Sequence, residues 1–159
     1  MDIPVTTAVR ALRAAKVEFE PYFYDYQDHG GTERAAQELN IPEHQTIKTI
    51  VLENEDKKPL IVLMHGDREI SLKQLARHLH VKTITPCSPE TANRHTGYMV
   101  GGTSPFGTRK ALPIYAEATI FDLPALYING GKRGFLVKIT PAVLETLLAP
   151  QRVAVAIEN

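Results

Sequence analysis

The stretch IKTIVLENEDKKPLIVLMHGD, residues 47–67, holds two apolar runs on either side of the charged segment ENEDKK. Both runs are rich in isoleucine, valine and leucine, and β-branched residues favour strands. A short polar segment between two such runs is typical of a hairpin. The stretch therefore predicts an antiparallel β-hairpin.

Lys48 is the one charged residue inside the first of these runs. In a strand, side chains alternate between faces, so Lys48 shares a face with Ile50 and Leu52, opposite Ile47 and Thr49. The simpler interpretation is a lysine whose ammonium group reaches out to water. The alternative is a cation at the mouth of a partly apolar pocket, where a low dielectric strengthens its attraction for a carbonyl or phosphate oxygen.

Capping signals predict two helices after the hairpin. In SLKQLARHLHV, residues 71–81, Ser71 is followed three residues later by Gln74, the spacing of a capping box. In CSPETANRHTG, residues 87–97, Ser88 precedes Pro89, which suits the first helical position, and Gly97 suits the end.

The remaining elements complete an α+β pattern. Thr6 or Thr7 and Thr32 are predicted to cap two early helices, and Thr140-Pro141 begins a last one. Further strands are predicted at 19–26, 112–115, 125–129, 135–139 and 153–157. Because helices and strands do not alternate strictly, we expect one α+β domain over residues 1–159, with a mixed, mostly antiparallel sheet flanked by helices.

Composition limits the function classes. The 159 residues carry 18 basic and 18 acidic side chains, so a polyanion can be bound only by a local patch. Cys87 is the single cysteine, and no apolar run approaches the roughly 20 residues of a membrane helix. The six histidines lack the spacing of metal ligands. We expect a cytoplasmic protein with no metal, no cofactor and no membrane partner.

Two glycine-rich stretches follow the predicted helices, GYMVGGTSPFGTRKALP at 97–113 and INGGKRG at 128–134. Glycine allows backbone amides to approach a ligand closely, and each stretch carries two adjacent cations. Taken singly, each is most simply a tight turn with solvated charges. The first is not a phosphate-binding P-loop, because Thr108-Arg109 stands where Lys-Ser/Thr is required. Two such loops together with Lys48 favour a binding site.

Three segments, IKTIVL at 47–52, HTGYMVGGTSPFG at 95–107 and YINGGKRG at 127–134, resemble the YbaK/aminoacyl-tRNA deacylase family. The resemblance covers nearly the whole chain and is strongest to free-standing Cys-tRNA(Pro) deacylases of the YbaK type. It implies a partly barrel-like sheet and hydrolysis of the ester between a mischarged amino acid and the tRNA 3′ end. The implied partners are the acceptor end of tRNA(Pro) and, as the family's companion, prolyl-tRNA synthetase.

The resemblance also implies site residues, which we group by role. The implied catalytic group comprises Lys48 as an electrostatic clamp, Gly101 as an amide donor and Tyr24 as a pocket wall. The implied substrate-binding residues are Thr49, Gly102, Ser104, Pro105, Asn129, Gly130 and Gly131. Our own hypothesis assigns Arg109, Lys110, Lys132 and Arg133 to phosphates of the acceptor stem.

Members of this family are thought to use the thiol of the substrate cysteine as the nucleophile, leaving positioning and charge stabilisation to the protein. The chain departs from the family at Asn129, where a serine is usual, and in YQDHGGTERAAQ, residues 26–37, where HGG replaces an aromatic residue that many members carry before the second helix. Two alternatives therefore stay open. One is a deacylase for alanine or serine, in which water attacks, and the other is a non-catalytic module that binds the tRNA 3′ end or a nucleotide.

Overall fold

The computed structural model describes residues 2–157. Its helices there are α1 Thr7–Ala14, α2 Gly31–Leu39, α3 Leu72–Leu79, α4 Pro89–Thr96 and α5 Pro141–Leu148. Its strands are β1 Glu20–Phe23, β2 Thr46–Asn54, β3 Pro59–His65, β4 Glu69–Ile70, β5 Ile84–Pro86, β6 Ile114–Glu117, β7 Leu126–Lys132, β8 Phe135–Ile139, β9 Gln151–Val153 and β10 Ala156–Ile157. None of these helices is both long and apolar enough to cross a membrane.

The main sheet has the strand order β1-β8-β7-β2-β3-β6-β9, and β5 pairs with β2 beside this path. Strand β2 is antiparallel to β3 and β5 but parallel to β7, and β6 is parallel to both β3 and β9. The expected α+β fold with a mixed, mostly antiparallel sheet is confirmed. The path of described strands is open, running from β1 to β9, and does not close into a barrel.

The predicted hairpin is the β2–β3 pair, in register from Ile47 opposite His65 to Glu53 opposite Pro59. One face of it, which includes Ile47 and Leu63, packs into the larger core with α1, α4 and α5. The other face, which includes Leu52, packs with α3 into a second core. Because both faces are covered, the alternation of side chains fixes which residues each core receives.

Three of the predicted helix caps are present and one is not. Ser71 accepts a hydrogen bond from Gln74 N at 3.2 Å, and Ser88 accepts one from Thr91 N at 3.2 Å. Thr6 caps α1. The expectation for Thr32 is wrong, because α2 already begins at Gly31 with Gly30 at the N-cap, and the Thr32 hydroxyl donates instead to the Glu43 carboxylate at 2.9 Å.

The glycine loop, residues 97–110, follows α4 and is anchored to α1 through Tyr98. The Tyr98 hydroxyl accepts a hydrogen bond from Thr7 Oγ1 at 2.7 Å and donates one to the Phe106 carbonyl at 2.5 Å. Tyr98 is 5% exposed, so these bonds form away from water. They hold the base of the loop against the first helix.

Replacing Tyr98 by phenylalanine should lower the free energy of unfolding by about 1–3 kcal/mol, because the buried Phe106 carbonyl loses its donor. Urea denaturation measures the change. Tyr115→Phe is the matched control, since the Tyr115 hydroxyl has no hydrogen bond to another described residue, and it should change the stability little. Equal losses in the two variants would contradict the anchoring role.

Candidate functional site

The parallel pairing of β2 with β7 ends one residue before Lys48 and Asn129. Thr46 lies opposite Tyr127 and Ile47 opposite Ile128, so the next residues in each strand are Lys48 and Asn129. Adjacent strands are about 5 Å apart, and both side chains stand on the face that Thr46 and Tyr127 share. Lys48 and the end of β7 therefore form a candidate site.

The Lys48 ammonium group is partly buried and already has partners within the protein. Its side chain is 20% exposed, and Nζ donates to the Arg68 carbonyl at 2.5 Å. Glu69 lies 3.7 Å from Nζ but is 71% exposed, so solvent weakens this ion pair. An ammonium group has three donors, which leaves hydrogen-bonding capacity for a ligand oxygen.

The turn that supplies the Arg68 carbonyl is held by a histidine cluster. His44 and His65 stack with ring centroids 3.8 Å apart and 5° between their planes. His44 Nδ1 lies 2.8 Å from the Asp67 carboxylate, which also binds the Arg68 guanidinium at 3.0 Å. The cluster therefore fixes residues 66–68, and with them the main acceptor of Lys48.

Both nitrogens of His65 are engaged. Nδ1 lies 2.7 Å from the His44 carbonyl, which can only accept, so Nδ1 carries the proton. Nε2 then accepts from the Thr119 hydroxyl at 2.7 Å. Burial lowers the pKa of His65 below its ordinary value of 6.5, despite the hydrogen bond to His44.

Asn129 connects the glycine loop to the β7–β8 turn, residues 129–134. Its Nδ2 donates to the Gly101 carbonyl at 3.0 Å, while its Oδ1 accepts from Gly131 N at 2.6 Å and from Lys132 N at 3.1 Å. Arg133 adds a second link by donating to the Val100 carbonyl at 2.9 Å. The two loops predicted to meet are in direct contact.

Several of the amides that sequence analysis proposed as donors to a ligand already have hydrogen-bond partners within the protein. Gly131 N is bonded to Asn129, and Gly102 N donates to Met99 O at 2.8 Å, closing a tight turn. Gly101, at the third position of this turn, has a φ of 91°, which favours glycine. Gly101 is exposed and its N–H has no hydrogen-bond partner among the described residues, so it is one amide that remains available.

Two tyrosines border the same face. Tyr24 is half-buried, and burial, followed by the neighbouring Tyr26, raises the pKa of Tyr24 above its ordinary value of 10.0. Tyr26 was not singled out from the sequence, yet a Cβ on Gly101 would lie 2.5 Å from its hydroxyl. The Arg133 guanidinium lies 4.9 Å from the centre of the Tyr26 ring. Tyr26 could have been identified from the sequence, because Tyr22, Tyr24 and Tyr26 alternate and so share one face of an extended segment.

Several predicted substrate-binding residues are turned away from this face. Ser104 is 0% exposed and its hydroxyl accepts from Phe106 N at 3.1 Å, while Pro105 is also buried. Gly130 is buried against the Phe135 ring. Thr49 faces the larger core, opposite Lys48. These residues therefore do not face the candidate site.

The edge of β2 that faces β7 and β5 is interrupted beside Lys48. Pairing with β7 ends at Ile47 and pairing with β5 begins at Leu52. Between them no strand of residues 2–157 pairs with this edge, although Cys87 N donates to Val51 O at 3.1 Å. The Thr49 hydroxyl in this gap is buried and has no hydrogen-bond partner in the described part of the chain.

The four predicted tRNA-binding cations are all exposed, but they differ in their surroundings. Arg133 is engaged with Val100 and Tyr26, and the Arg109 side chain lies over Gly97. Within residues 2–157, none of Arg109, Lys110, Lys132 and Arg133 has a carboxylate within 4.0 Å. The described residues contain no group of three side chains suited to hold a metal ion.

Comparison with known proteins gives a family match and several relatives. The family model described as an aminoacyl-tRNA editing domain matches residues 29–147. EbsC of Enterococcus faecalis, a candidate Cys-tRNA(Pro)/Cys-tRNA(Cys) deacylase, is 29% identical over 143 residues, which cover 89% of this chain and 87% of EbsC.

A second relative is the proline–tRNA ligase of Brachyspira hyodysenteriae, 28% identical over 64% of this chain. The match spans only 20% of that ligase. Among solved structures, a candidate trans-editing enzyme for prolyl tRNA synthetase superposes with a TM-score of 0.85 at 22% identity, covering 98% of this chain and 99% of that one. This likeness confirms the fold.

Asn129→Asp should separate the two functions of the Asn129 side chain. The carboxylate still accepts from Gly131 N and Lys132 N but cannot donate to Gly101 O, so amide hydrogen exchange should accelerate in residues 99–104 and stay slow at 131–132. Asn129→Ala should accelerate exchange in both segments. Unchanged exchange at 99–104 in both variants would show that the loops are held together by other contacts.

Acid should destabilise the protein through His65. Because the pKa of His65 is lowered in the folded state, the unfolded chain binds more protons once the pH falls below about 6.5, and stability declines from there downwards. Thermal unfolding between about pH 7 and pH 5 measures this slope. The slope should be shallower in His65→Gln, whereas the control His78→Gln, at an exposed position on α3, should retain it. Parallel profiles for all three proteins would contradict this assignment.

Proposed function

Since the family model covers three quarters of its length, the chain belongs to the aminoacyl-tRNA editing domain family, and we propose that it is a trans-editing deacylase that removes cysteine from mischarged tRNA(Pro). Two observations support this proposal: Asn129 joins the end of β7 to Gly101 by a hydrogen bond, and Lys48 and Asn129 each follow the last paired residue of β2 and β7. This arrangement supplies a cation and an unpaired amide without a metal.

We assign to Lys48 and Gly101 the stabilisation of the negative charge that develops on oxygen during ester cleavage. The ammonium group, partly withdrawn from water, attracts an ester or ribose oxygen more strongly than an exposed lysine would. The Gly101 amide supplies a second donor from a turn whose conformation is fixed before the substrate binds. Donors that need no reorganisation stabilise the transition state most effectively.

In the proposed reaction the substrate thiol is the nucleophile. Its sulfur forms a bond to the carbonyl carbon of its own ester, the bond from that carbon to the ribose oxygen breaks, and the thiol proton ends on the ribose oxygen. The products are free tRNA and a cyclic thioester, which water then opens to cysteine. The protein holds the thiol and the carbonyl close together, which accounts for much of the rate increase in such reactions.

The protein's own thiol and nearest imidazole are poorly suited to replace this nucleophile. Burial, followed by Glu53, raises the pKa of Cys87 to about 11, so the thiol stays protonated at neutral pH. Cys87 also borders the larger core, across the sheet from Lys48. His65 has both nitrogens in hydrogen bonds. These facts favour substrate-assisted cleavage over a covalent enzyme intermediate.

Tyr24 completes the site as part of the pocket wall. Its raised pKa keeps the phenol neutral, so its hydroxyl can donate to or accept from a ligand. In this proposal the acceptor end of tRNA(Pro) is the partner, and prolyl-tRNA synthetase supplies discrimination among tRNAs that phosphate contacts cannot provide. Since editing accompanies translation, we expect a cytoplasmic location.

Lys48→Met should reduce the deacylation of cysteinyl-tRNA(Pro) by about 100–1,000-fold, the loss that follows removal of one well-placed donor to an oxyanion. Single-turnover assays that follow loss of the ester measure it. Lys58→Met, on the exposed β2–β3 turn, is the matched control and should keep full activity. Full activity in Lys48→Met would remove the central residue of the mechanism.

The choice of substrate distinguishes the mechanisms. S-methylcysteinyl-tRNA(Pro), whose sulfur carries no proton, should resist hydrolysis if the thiol attacks. Hydrolysis of alanyl- or seryl-tRNA(Pro) but not of cysteinyl-tRNA(Pro) would instead indicate a deacylase that uses water. Tight tRNA binding with no hydrolysis of any ester would indicate a binding module.

A further inference from the structure

An open cleft of about 660 Å³ lies outside the site described above, between the end of the β2–β3 hairpin, α4 and the end of the glycine loop. Three cationic side chains line it, those of Lys57, Arg94 and Lys110, together with His95. Glu53 is the one carboxylate among its lining residues. The cleft thus gathers positive charge on a protein whose formal net charge is zero.

The charge of Glu53 is already balanced. Its side chain is 10% exposed and lies 3.3 Å from the Lys57 ammonium group. Within residues 2–157, Arg94 and Lys110 have no carboxylate within 4.0 Å. The cleft therefore keeps two uncompensated cations, and its surplus charge suits an anionic ligand.

The environment of His95 also reflects the positive charge of the cleft. Burial, followed by the positive charges of Lys110 and Arg94, lowers the pKa of His95, so the ring is neutral at physiological pH. Its buried Nδ1 has no hydrogen-bond partner among the described residues. Arg94 donates to the Thr91 hydroxyl at 3.0 Å, which leaves most of the guanidinium's donors available for an anion.

Backbone hydrogen bonds couple the cleft to the glycine loop. Lys110 N donates to His95 O at 3.0 Å, and Arg109 N donates to Thr96 O at 3.0 Å. The end of the glycine loop is therefore fixed to the last turn of α4, and the cleft and Gly101 belong to one connected unit. A ligand that reaches both the cleft and Gly101 is therefore extended, and the part of it in the cleft is anionic.

Resting on the deacylase function proposed above, we propose that this cleft binds a backbone phosphate of the tRNA whose 3′ end lies at Gly101. A phosphodiester is an anion that keeps its charge at all physiological pH values, and the fork of an arginine matches its oxygens. Arg94 and Lys110 form the contact. Such a contact adds affinity without selecting a sequence.

The test uses the double variant Arg94→Gln/Lys110→Gln. We expect its affinity for uncharged tRNA to fall roughly tenfold and the slope of log affinity against log salt to shrink by about 1, since one phosphate contact and its counterion are lost. Arg13→Gln/Lys16→Gln removes the same charge from exposed positions at the end of α1 and should change neither quantity. Arg94→Lys/Lys110→Arg keeps the charge and should retain the slope. Circular dichroism confirms that each variant is folded.

A minimal substrate separates this proposal from the one on which it rests. The ratio of deacylation rates for cysteinyl-tRNA(Pro) over 3′-cysteinyl-adenosine, which has no acceptor stem, should fall in the double variant. If the wild type cleaves neither substrate, the deacylase function fails. If it cleaves both and the double variant has an unchanged ratio, affinity and slope, the phosphate site is overturned while the deacylase function stands. An unchanged slope with weaker binding to prolyl-tRNA synthetase would assign the cleft to a protein and also overturn the proposal.

Discussion

The site depends on two residue pairs that join β2 and β7 in parallel, Thr46 with Tyr127 and Ile47 with Ile128. They connect segments about eighty residues apart, and Lys48 and Asn129 are the next residues of the two strands. A shift of one residue would exchange the two faces, burying the ammonium group in the larger core and exposing Ile47. Because Ile47 and Ile128 both belong to that core, hydrophobic burial opposes the shift. The packing that stabilises the fold therefore also positions the cation.

Beside Lys48, in contrast, no strand of residues 2–157 pairs with this edge of β2. Strand β7 leaves the edge after Ile47 because a register irregularity lies between Asn129 and Lys132, where the chain turns toward β8. Such irregularities often redirect side chains at functional sites. Here the irregularity lets one asparagine bind its own turn and the neighbouring loop at once. Rigid loops without regular pairing are a suitable scaffold for a ligand that must enter at the edge of a sheet.

Sequence analysis succeeded where the signal is local. The hairpin, the caps at Ser71 and Ser88 and the face of Lys48 each follow from residues close together in the chain. The predicted cap at Thr32 is absent because the Thr32 hydroxyl contacts Glu43 and the Gly66 carbonyl, and Gly66 is distant in the sequence although close in the fold. No local pattern could reveal the stack of His44 on His65, which depends on a contact between β3 and the turn before β2.

The glycine loops illustrate the same limit in their chemistry. Sequence analysis assigned the two glycine-rich loops to one site, and they are in contact, but it could not tell which of their amides are already paired within the protein. Asn129 accepts hydrogen bonds from Gly131 N and Lys132 N, so these two amides of the second loop are already paired, whereas Gly101 N of the first loop has no partner among the described residues. A serine has a shorter side chain and cannot span both loops in this way. The asparagine therefore makes a fixed junction between the two loops.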